Sequence, residues 1–227
     1  EIRVEFLPEV EPVAAPAPPP RELPPPWDFS PEAAPYEVQF PSQLAEEAPE
    51  TSSRSEEAGD LPRLRGEAIH RLLEDVSLRK ALPSPAAVAA ALRRGGLEPE
   101  AAQLLAPEIL IEVDLCRDDP FLAPLLSVEA PEAVNEWLLE DSPEPGVIRR
   151  GRMDRLVFDG RAWWLLDYKT SRPERAEDWD AFIKRERDKY RPQLLAYRDM
   201  AAKAKGLAPE SIRPALYFTA ARRVELL

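Results

Sequence analysis

Two apolar segments joined by an Asp-Gly pair constrain the fold of this chain more than any other feature. Val147–Phe158 and Arg161–Thr170 have the composition of strands, and Asp159-Gly160 between them is a strong hairpin signal. The run Trp163-Trp164-Leu165-Leu166 is apolar on both faces, which predicts a strand that is buried within a sheet. The chain is therefore expected to build its domain around this hairpin.

Helical spacing of apolar residues predicts that helices flank the hairpin. Helices are expected at Leu64–Ser77, Ala86–Arg94, Pro99–Leu115 and Pro192–Lys205, and further strands at Ile212–Thr219 and Arg223–Leu227. The segment Ala130–Glu140 is ambiguous and could contain a short strand. Pro214 weakens the third strand or places it at a sheet edge. This order predicts the α/β (α+β) class, with a mixed sheet and a central β-hairpin flanked by helices.

Residues 1–60 have a different composition from the rest of the chain. They hold 13 of the 27 prolines and account for −11 of the net charge of −12. Proline favours extended polyproline conformation, so this segment is expected to be an acidic, proline-rich linker or arm preceding a domain at residues 61–227. Residues 1–7 alternate like a strand, which favours a fragment of a larger protein over a free-standing protein with a disordered tail.

The charge and cysteine content exclude several classes of site. Residues 61–227 hold 28 acidic and 27 basic residues, so net charge neither supports nor excludes nucleic-acid binding. Cys116 is the only cysteine, which excludes a disulfide framework and a multi-cysteine zinc or iron–sulfur site within this chain. No apolar stretch is long enough to span a membrane, and a cytoplasmic location is expected.

The turn predicts a register for the hairpin. A two-residue loop at Asp159-Gly160 would place Asp154 opposite Leu165 and Arg152 opposite Asp167. The two aspartates would then be diagonal neighbours, close enough for two carboxylates to bind one hard cation. A one-residue bulge would break this arrangement, because it turns side chains to the other face.

Asp154, Asp167 and Lys169 are expected to share one face at the end of the buried hairpin. An Asp-x-Lys at a strand end is usually an exposed ion pair. Here it directly follows an apolar run, and buried charge is costly unless it is paired or bound to a metal. His70, the only histidine, lies on the first predicted helix. A lone histidine near an apolar face is more often a packing residue, although imidazole is a common metal ligand.

Polar and basic residues near this site are candidates for contact with a substrate. Gln193 and Tyr197 share a face of the predicted helix, and Tyr190 joins them if that helix begins early. They could form a solvated helix edge with aromatics in the core, or touch a nucleotide. The basic residues between 184 and 191 are interrupted by acids and are weak evidence for phosphate binding. Arg149, Arg150 and Arg152 lie closer to the predicted site.

Three segments together resemble the RecB-like nuclease domain of the PD-(D/E)XK superfamily. They are GEAIHRLLE, GRMDRLVFDGRAWWLLDYKT and YRPQLLAY, in this order, and the resemblance covers roughly residues 61–227. Such domains often lie at the C-terminal end of bacterial UvrD-type helicases such as AddA and RecB. The resemblance implies a PD-(D/E)XK core and a metal-dependent deoxyribonuclease that acts in DNA recombination and repair.

The resemblance also implies roles for single residues. His70, Asp154, Asp167 and the backbone carbonyl of Tyr168 would bind Mg²⁺ or Mn²⁺, and Lys169 would be the catalytic lysine. Gln193 and Tyr197 would lie near the DNA, and Glu136 matches an acidic position before the hairpin. The implied partners are DNA, expected to be single-stranded, a UvrD-type helicase motor upstream or on another chain, and an AddB-like subunit. Some relatives hold an iron–sulfur cluster with four cysteines, which this chain with its single cysteine cannot do. The chain also contains no helicase motif.

Two other functions compete with this interpretation. The first is a DNA-binding scaffold that has lost cleavage, although a decayed site would normally lose one of His70, Asp154, Asp167 and Lys169. The second is an interaction module that binds a partner through the proline-rich arm, which leaves the charges on the hairpin unexplained. Metal binding separates the nuclease from the interaction module, and cleavage separates it from the scaffold.

Overall fold

The computed structural model describes residues 37–45, 60–127 and 129–227, and the structural statements below refer to these residues. The expected strand at residues 1–7 and most of the proline-rich arm lie outside them. The described residues belong to one compact unit. None of the described helices is long and apolar enough to cross a membrane.

Five helices and six strands make up the described part of the chain. The helices are α1 (Asp60–Ser77), α2 (Pro85–Arg94), α3 (Pro99–Arg117), α4 (Leu122–Leu126) and α5 (Trp179–Lys205). The strands are β1 (Glu37–Gln39), β2 (Glu132–Asp141), β3 (Val147–Phe158), β4 (Trp163–Lys169), β5 (Ile212–Phe218) and β6 (Arg223–Leu226). Short 3₁₀ turns lie at Pro41–Ala45 and Pro209–Ser211.

The six strands form one mixed sheet around the predicted hairpin. The order is β1-β3-β4-β5-β6, and β2 pairs with β3 off this path. The β2–β3, β3–β4 and β5–β6 pairs are antiparallel, whereas β1–β3 and β4–β5 are parallel. The α/β class with a mixed sheet and a central hairpin is therefore confirmed.

Each face of the sheet has its own apolar core. Leu166 and Tyr217 pack with residues of α1 to α4 on one face, whereas Leu165 and Leu216 pack with residues of α5 on the other. Successive strand residues point to opposite faces, so a strand that is covered on both sides must be apolar at every position. This explains the uninterrupted apolar run that precedes Asp167.

The hairpin loop is longer than the sequence predicts. Asp159 accepts hydrogen bonds through Oδ1 from the backbone N–H groups of Arg161 and Ala162, both at 2.8 Å. The loop therefore contains four residues, and pairing begins at Phe158 opposite Trp163.

The predicted pairs Asp154–Leu165 and Arg152–Asp167 are consequently wrong. Leu156 lies opposite Leu165 and Arg155 opposite Leu166, and the pairing ends before Asp154 and Asp167. The predicted register is therefore wrong by two residues. Because side chains alternate between the two faces of the sheet, a shift of two residues alone moves none of them to the other face.

One ambiguous segment is a strand, and one helix is much longer than the sequence predicts. The ambiguous segment before the hairpin is strand β2, which pairs along β3. Helix α5 begins at Trp179 and contains Pro192 in its interior. The Asp178 side chain caps it by accepting a hydrogen bond from the backbone N–H of Asp180, and Phe182 is buried against the sheet. This cap and this packing offset the backbone hydrogen bond that proline removes.

Two other segments differ from the sequence-based expectation. The described residues 37–45, which the composition assigns to the linker, supply strand β1, which pairs in parallel with Val147–Arg149. A three-residue strand is too short to give a periodic signal. Pro214 lies inside β5, which pairs with β4 on one side and β6 on the other, so this strand is not at the sheet edge.

Candidate active site

A local irregularity in β2 and β3 creates the candidate site. Met153 and Leu156 pack in the same core cluster although residues three apart in a regular strand face opposite sides. The β2–β3 register places Glu136 opposite Asp154 at this point, and Glu136 has a φ of 47°. A non-glycine residue in this left-handed region is uncommon and is found where the surrounding structure imposes it. The irregularity therefore lies where the two carboxylates of Glu136 and Asp154 face each other.

His70 of α1 meets these two carboxylates. One ligand atom from each of His70, Glu136 and Asp154 lies within 4.8 Å of the others, and His70 Nδ1 is 3.3 Å from Asp154 Oδ1. All three side chains line a cavity of about 910 Å³. The family resemblance implied that His70 and Asp154 would lie together, and Glu136 completes a group of three.

Asp154 is held as an anion by its neighbours. Its Oδ2 accepts a hydrogen bond from the backbone N–H of Tyr168 at 2.7 Å. Burial raises the pKa of Asp154, but the charge of His70 and the hydrogen bonds from His70 and Tyr168 lower it below its ordinary value. Burial lowers the pKa of His70, and the neighbouring Asp154 carboxylate outweighs this and raises it to about 8.

Asp167 and Lys169 form a buried ion pair beside this group. Lys169 Nζ lies 2.7 Å from Asp167 Oδ2, so this carboxylate oxygen is paired with the ammonium. Burial and the nearby Asp154 raise the pKa of Asp167, although Lys169 opposes the shift. Asp167 is not in the group of three. Asp167 interacts electrostatically with both His70 and Asp154, so it lies at the edge of this group.

The end of β4 that carries Lys169 is fixed from two sides. The backbone N–H of Thr219 donates to the carbonyl of Lys169 at 3.0 Å, and Arg65 Nη1 donates to the carbonyl of Thr170 at 2.9 Å. Glu112 of α3 in turn pairs with Arg65 and accepts a hydrogen bond from Thr219 Oγ1 at 2.6 Å. No sequence motif signals this network, because its members are separated along the chain.

Gln193 and Tyr197 lie beneath the site rather than on its surface. Both side chains are buried. A Cβ atom added to Gly151 would lie 2.3 Å from Tyr197 Cε1, so α5 packs directly on the backbone of β3 at this glycine. In the structure the two residues anchor the helix to the sheet, and their contact with DNA stays a prediction.

The predicted arginines have different surroundings. Arg149 makes a two-pronged hydrogen bond to Asp141, at 3.0 and 2.8 Å, so its charge is paired within the sheet. Arg150 donates through Nε and Nη2 to a single oxygen of Glu140, Oε2. Arg152 is two-thirds exposed, lies 3.2 Å from Glu136 and lines the cavity that contains the three-residue group. Of the three, Arg152 is the one placed to meet a ligand in that cavity.

Tyr190 is a further residue near the site. Its ring lies under the Lys169 ammonium, with 3.5 Å between Nζ and the ring centroid. The sequence offered a conditional signal, because Tyr190 shares a face with Gln193 and Tyr197 only when the helix begins before Pro192. The early start of α5 meets that condition.

The donor atoms fit a divalent cation. An imidazole nitrogen and two carboxylates converge, and the buried Asp167 carboxylate, paired with Lys169, interacts electrostatically with two of them. A ligand set dominated by carboxylate oxygens suits Mg²⁺ or Mn²⁺. Within the described part of the chain, this is the one group of three such side chains whose ligand atoms are close enough to hold an ion.

Comparisons with known proteins place the chain in a family. No curated protein matches it significantly. The crystal structure of SSO0001 matches 84% of this chain with 13% identity and a TM-score of 0.29, and the match spans 65% of that protein's length. The family model of the PD-(D/E)XK nuclease superfamily matches residues 38–225, nearly all of the described fold. The chain therefore belongs to the PD-(D/E)XK nuclease superfamily.

Proposed function

We propose that this chain is a divalent-metal-dependent deoxyribonuclease that hydrolyses phosphodiester bonds. Members of its superfamily are generally nucleases and use divalent metals. The observation that carries the proposal is the convergence of His70, Glu136 and Asp154 in one cavity, beside the buried Asp167–Lys169 pair.

In this proposal three side chains hold the metal and a fourth completes its environment. His70, Asp154 and Glu136 supply ligand atoms, and Asp167, which the sequence resemblance implies as a ligand, joins them. The backbone carbonyl of Tyr168 stays a predicted further ligand. A bound Mg²⁺ or Mn²⁺ lowers the pKa of its water and polarises a phosphoryl oxygen.

Lys169 acts as an electrostatic group in this proposal. Burial lowers the pKa of Lys169, but the Asp167 carboxylate outweighs it and raises the pKa above its ordinary value. An ammonium that stays protonated cannot accept a proton from water. It can stabilise the negative charge that develops on the phosphate during cleavage. The surroundings of Lys169 therefore favour charge stabilisation over general-base catalysis.

The proposed substrate is single-stranded DNA, delivered by a helicase. The exposed Arg152 guanidinium lines the cavity and can contact a phosphate. Its position supports the proposal that the substrate is anionic. The helicase motor, whether on the same chain or another, the AddB-like partner and the role in recombination and repair rest on the RecB-like sequence resemblance.

Cleavage of a 5′-labelled single-stranded DNA tests the proposal. The purified chain is assayed with Mg²⁺, Mn²⁺ or EDTA, beside Asp154→Asn and Lys169→Ala. Asp118→Asn is the matched control, because this carboxylate is exposed at the end of α3. We expect metal-dependent cleavage by the wild type and the control, and none by the two site variants. Metal binding without cleavage would favour the scaffold, and cleavage that survives in Asp154→Asn would contradict the proposed site.

A further inference from the structure

The Lys169 ammonium is enclosed by two groups of different chemistry. Asp167 Oδ2 lies 2.7 Å from Nζ on one side, and the Tyr190 ring centroid lies 3.5 Å away on another. The lysine side chain is only 13% exposed. A cation removed from water in this way is stabilised by an opposite charge and by the electron-rich face of an aromatic ring.

Helix packing fixes the part of α5 that carries Tyr190 independently of the lysine. Tyr190, Gln193 and Tyr197 lie three and four residues apart and share one face of α5. Gln193 and Tyr197 are buried, and Tyr197 fits against Gly151. The ring therefore belongs to a rigid element, and the lysine on its long stem is the partner that adapts.

We propose that Tyr190 is a positioning residue that holds the Lys169 ammonium at the reaction centre. Its ring face replaces water around Nζ and limits the orientations that the four-carbon stem can adopt. This inference rests on the proposed function of Lys169. It adds that the contribution of the lysine to catalysis depends on an aromatic face supplied by α5.

A packing role for Tyr190 makes a different prediction. The residue packs at the edge of the core between the sheet and α5, so it could simply fill space. Packing requires volume, whereas attraction to a cation requires electron density on the ring face. Fluorination withdraws that density and changes the ring volume little, so fluorinated rings separate the two roles.

The first test measures kcat and KM at saturating metal for three replacements at position 190. These are Tyr190→Phe, Tyr190→Leu and Tyr190→3,4,5-trifluorophenylalanine. We expect Phe to stay within about threefold of the wild type. The fluorinated ring and Leu should lower kcat by about tenfold to a hundredfold, with KM little changed, because misplacing a catalytic group costs rate rather than binding. Equal kcat for Phe and its fluorinated form would overturn the proposal, and so would a loss confined to KM.

The second test needs no activity. The ring current of Tyr190 should shift the NMR signals of the Lys169 ε-methylene protons upfield in the metal-free protein. We expect the shift to persist in Tyr190→Phe and to vanish in Tyr190→Leu. Lys80 is the control lysine. Its ammonium pairs with Asp75 at 2.7 Å rather than with the Tyr190 ring, so its signals should be the same in all variants.

The two tests separate failure of the inference from failure of the proposed function. A Lys169 signal that is unchanged in Tyr190→Leu overturns the positioning role while cleavage by the wild type still supports the nuclease. A wild type that does not cleave refutes the nuclease, and the positioning role falls with it even if the ring contact is seen.

Discussion

The chemistry at the candidate site follows from a few residues whose neighbours control their charge. His70 and Asp154 lie together as the family resemblance implied, whereas the helical pattern around His70 alone favoured a packing role. Glu136 was harder to predict. Its inclusion depends on a left-handed backbone in the middle of a strand, which no local pattern signals. The facing pair of Glu136 and Asp154 also depends on the register between β2 and β3.

Glu136 should contribute to metal binding at the expense of fold stability. Glu136→Gly removes the carboxylate and relieves the φ of 47°, and Glu136→Gln removes the charge but keeps the strain. We expect both to weaken Mn²⁺ binding by about tenfold or more. The free energy of unfolding should be unchanged or higher by up to about 1 kcal/mol in Glu136→Gly, because glycine tolerates this conformation. Calorimetric titration and thermal denaturation measure the two effects.

The control for this prediction is Glu140→Gln on the same strand. Glu140 pairs with Arg150 and is half-exposed. The Glu140→Gln variant should bind Mn²⁺ with the affinity of the wild type. Wild-type affinity in Glu136→Gly would remove Glu136 from the ligand set.

The buried thiol of Cys116 should be chemically inert in the native protein. Burial raises the pKa of Cys116 to about 12, so the thiolate that reacts with disulfide reagents is nearly absent at pH 8. We expect no reaction with Ellman's reagent at pH 8 until denaturant is added, and then one thiol per chain. Rapid reaction of the native protein would show that the α3 face of the core opens readily.

At the scale of elements, the strands of the hairpin could be predicted from the sequence, but the length of its loop could not. The bounds of β3 match the prediction, because its composition and the following Asp-Gly pair act locally. The four-residue loop depends on side-chain hydrogen bonds of Asp159, which the dipeptide alone does not specify. Helix α5 extends through Pro192, because tertiary packing overrides the local preference of proline.

The contact between α5 and β3 at Gly151 should be sensitive to a single methyl group. Gly151→Ala places a Cβ 2.3 Å from a ring carbon of Tyr197, and both elements are packed. We expect a loss of about 1–3 kcal/mol in the free energy of unfolding, measured by urea denaturation.

A double-mutant cycle assigns this loss to its cause. In the background of Tyr197→Leu, which removes the ring, Gly151→Ala should cost less than it does in the wild type. Additive losses would show that the two residues do not meet in this way.

At the scale of the whole molecule, the mixed sheet brings the site together from distant parts of the chain. His70 comes from α1, Glu136 from β2, Asp154 from β3, and Asp167 and Lys169 from β4. The fold class could be predicted because the order of helices and strands determines it. The precise set of ligands could not, because it depends on how α1 lies over the irregular β2–β3 pair.

Strand β1 should contribute to the stability of this sheet. It pairs with Val147–Arg149, immediately before Gly151, and the 3₁₀ turn that follows packs near α5. A chain that begins at Asp60 should therefore unfold at a lower temperature and lower urea concentration than one that begins at Tyr36. Equal stability of the two chains would show that β1 adds nothing to the fold.

The proposed function depends on a metal centre built by three elements. A calorimetric titration of the metal-free protein with Mn²⁺ tests this most directly, with His70→Ala, Asp154→Asn and the exposed control Asp118→Asn alongside. We expect saturable binding by the wild type and the control, and binding that is at least about tenfold weaker in both site variants. Wild-type affinity in His70→Ala and Asp154→Asn, or no binding by any of the four proteins, would contradict the proposed metal centre.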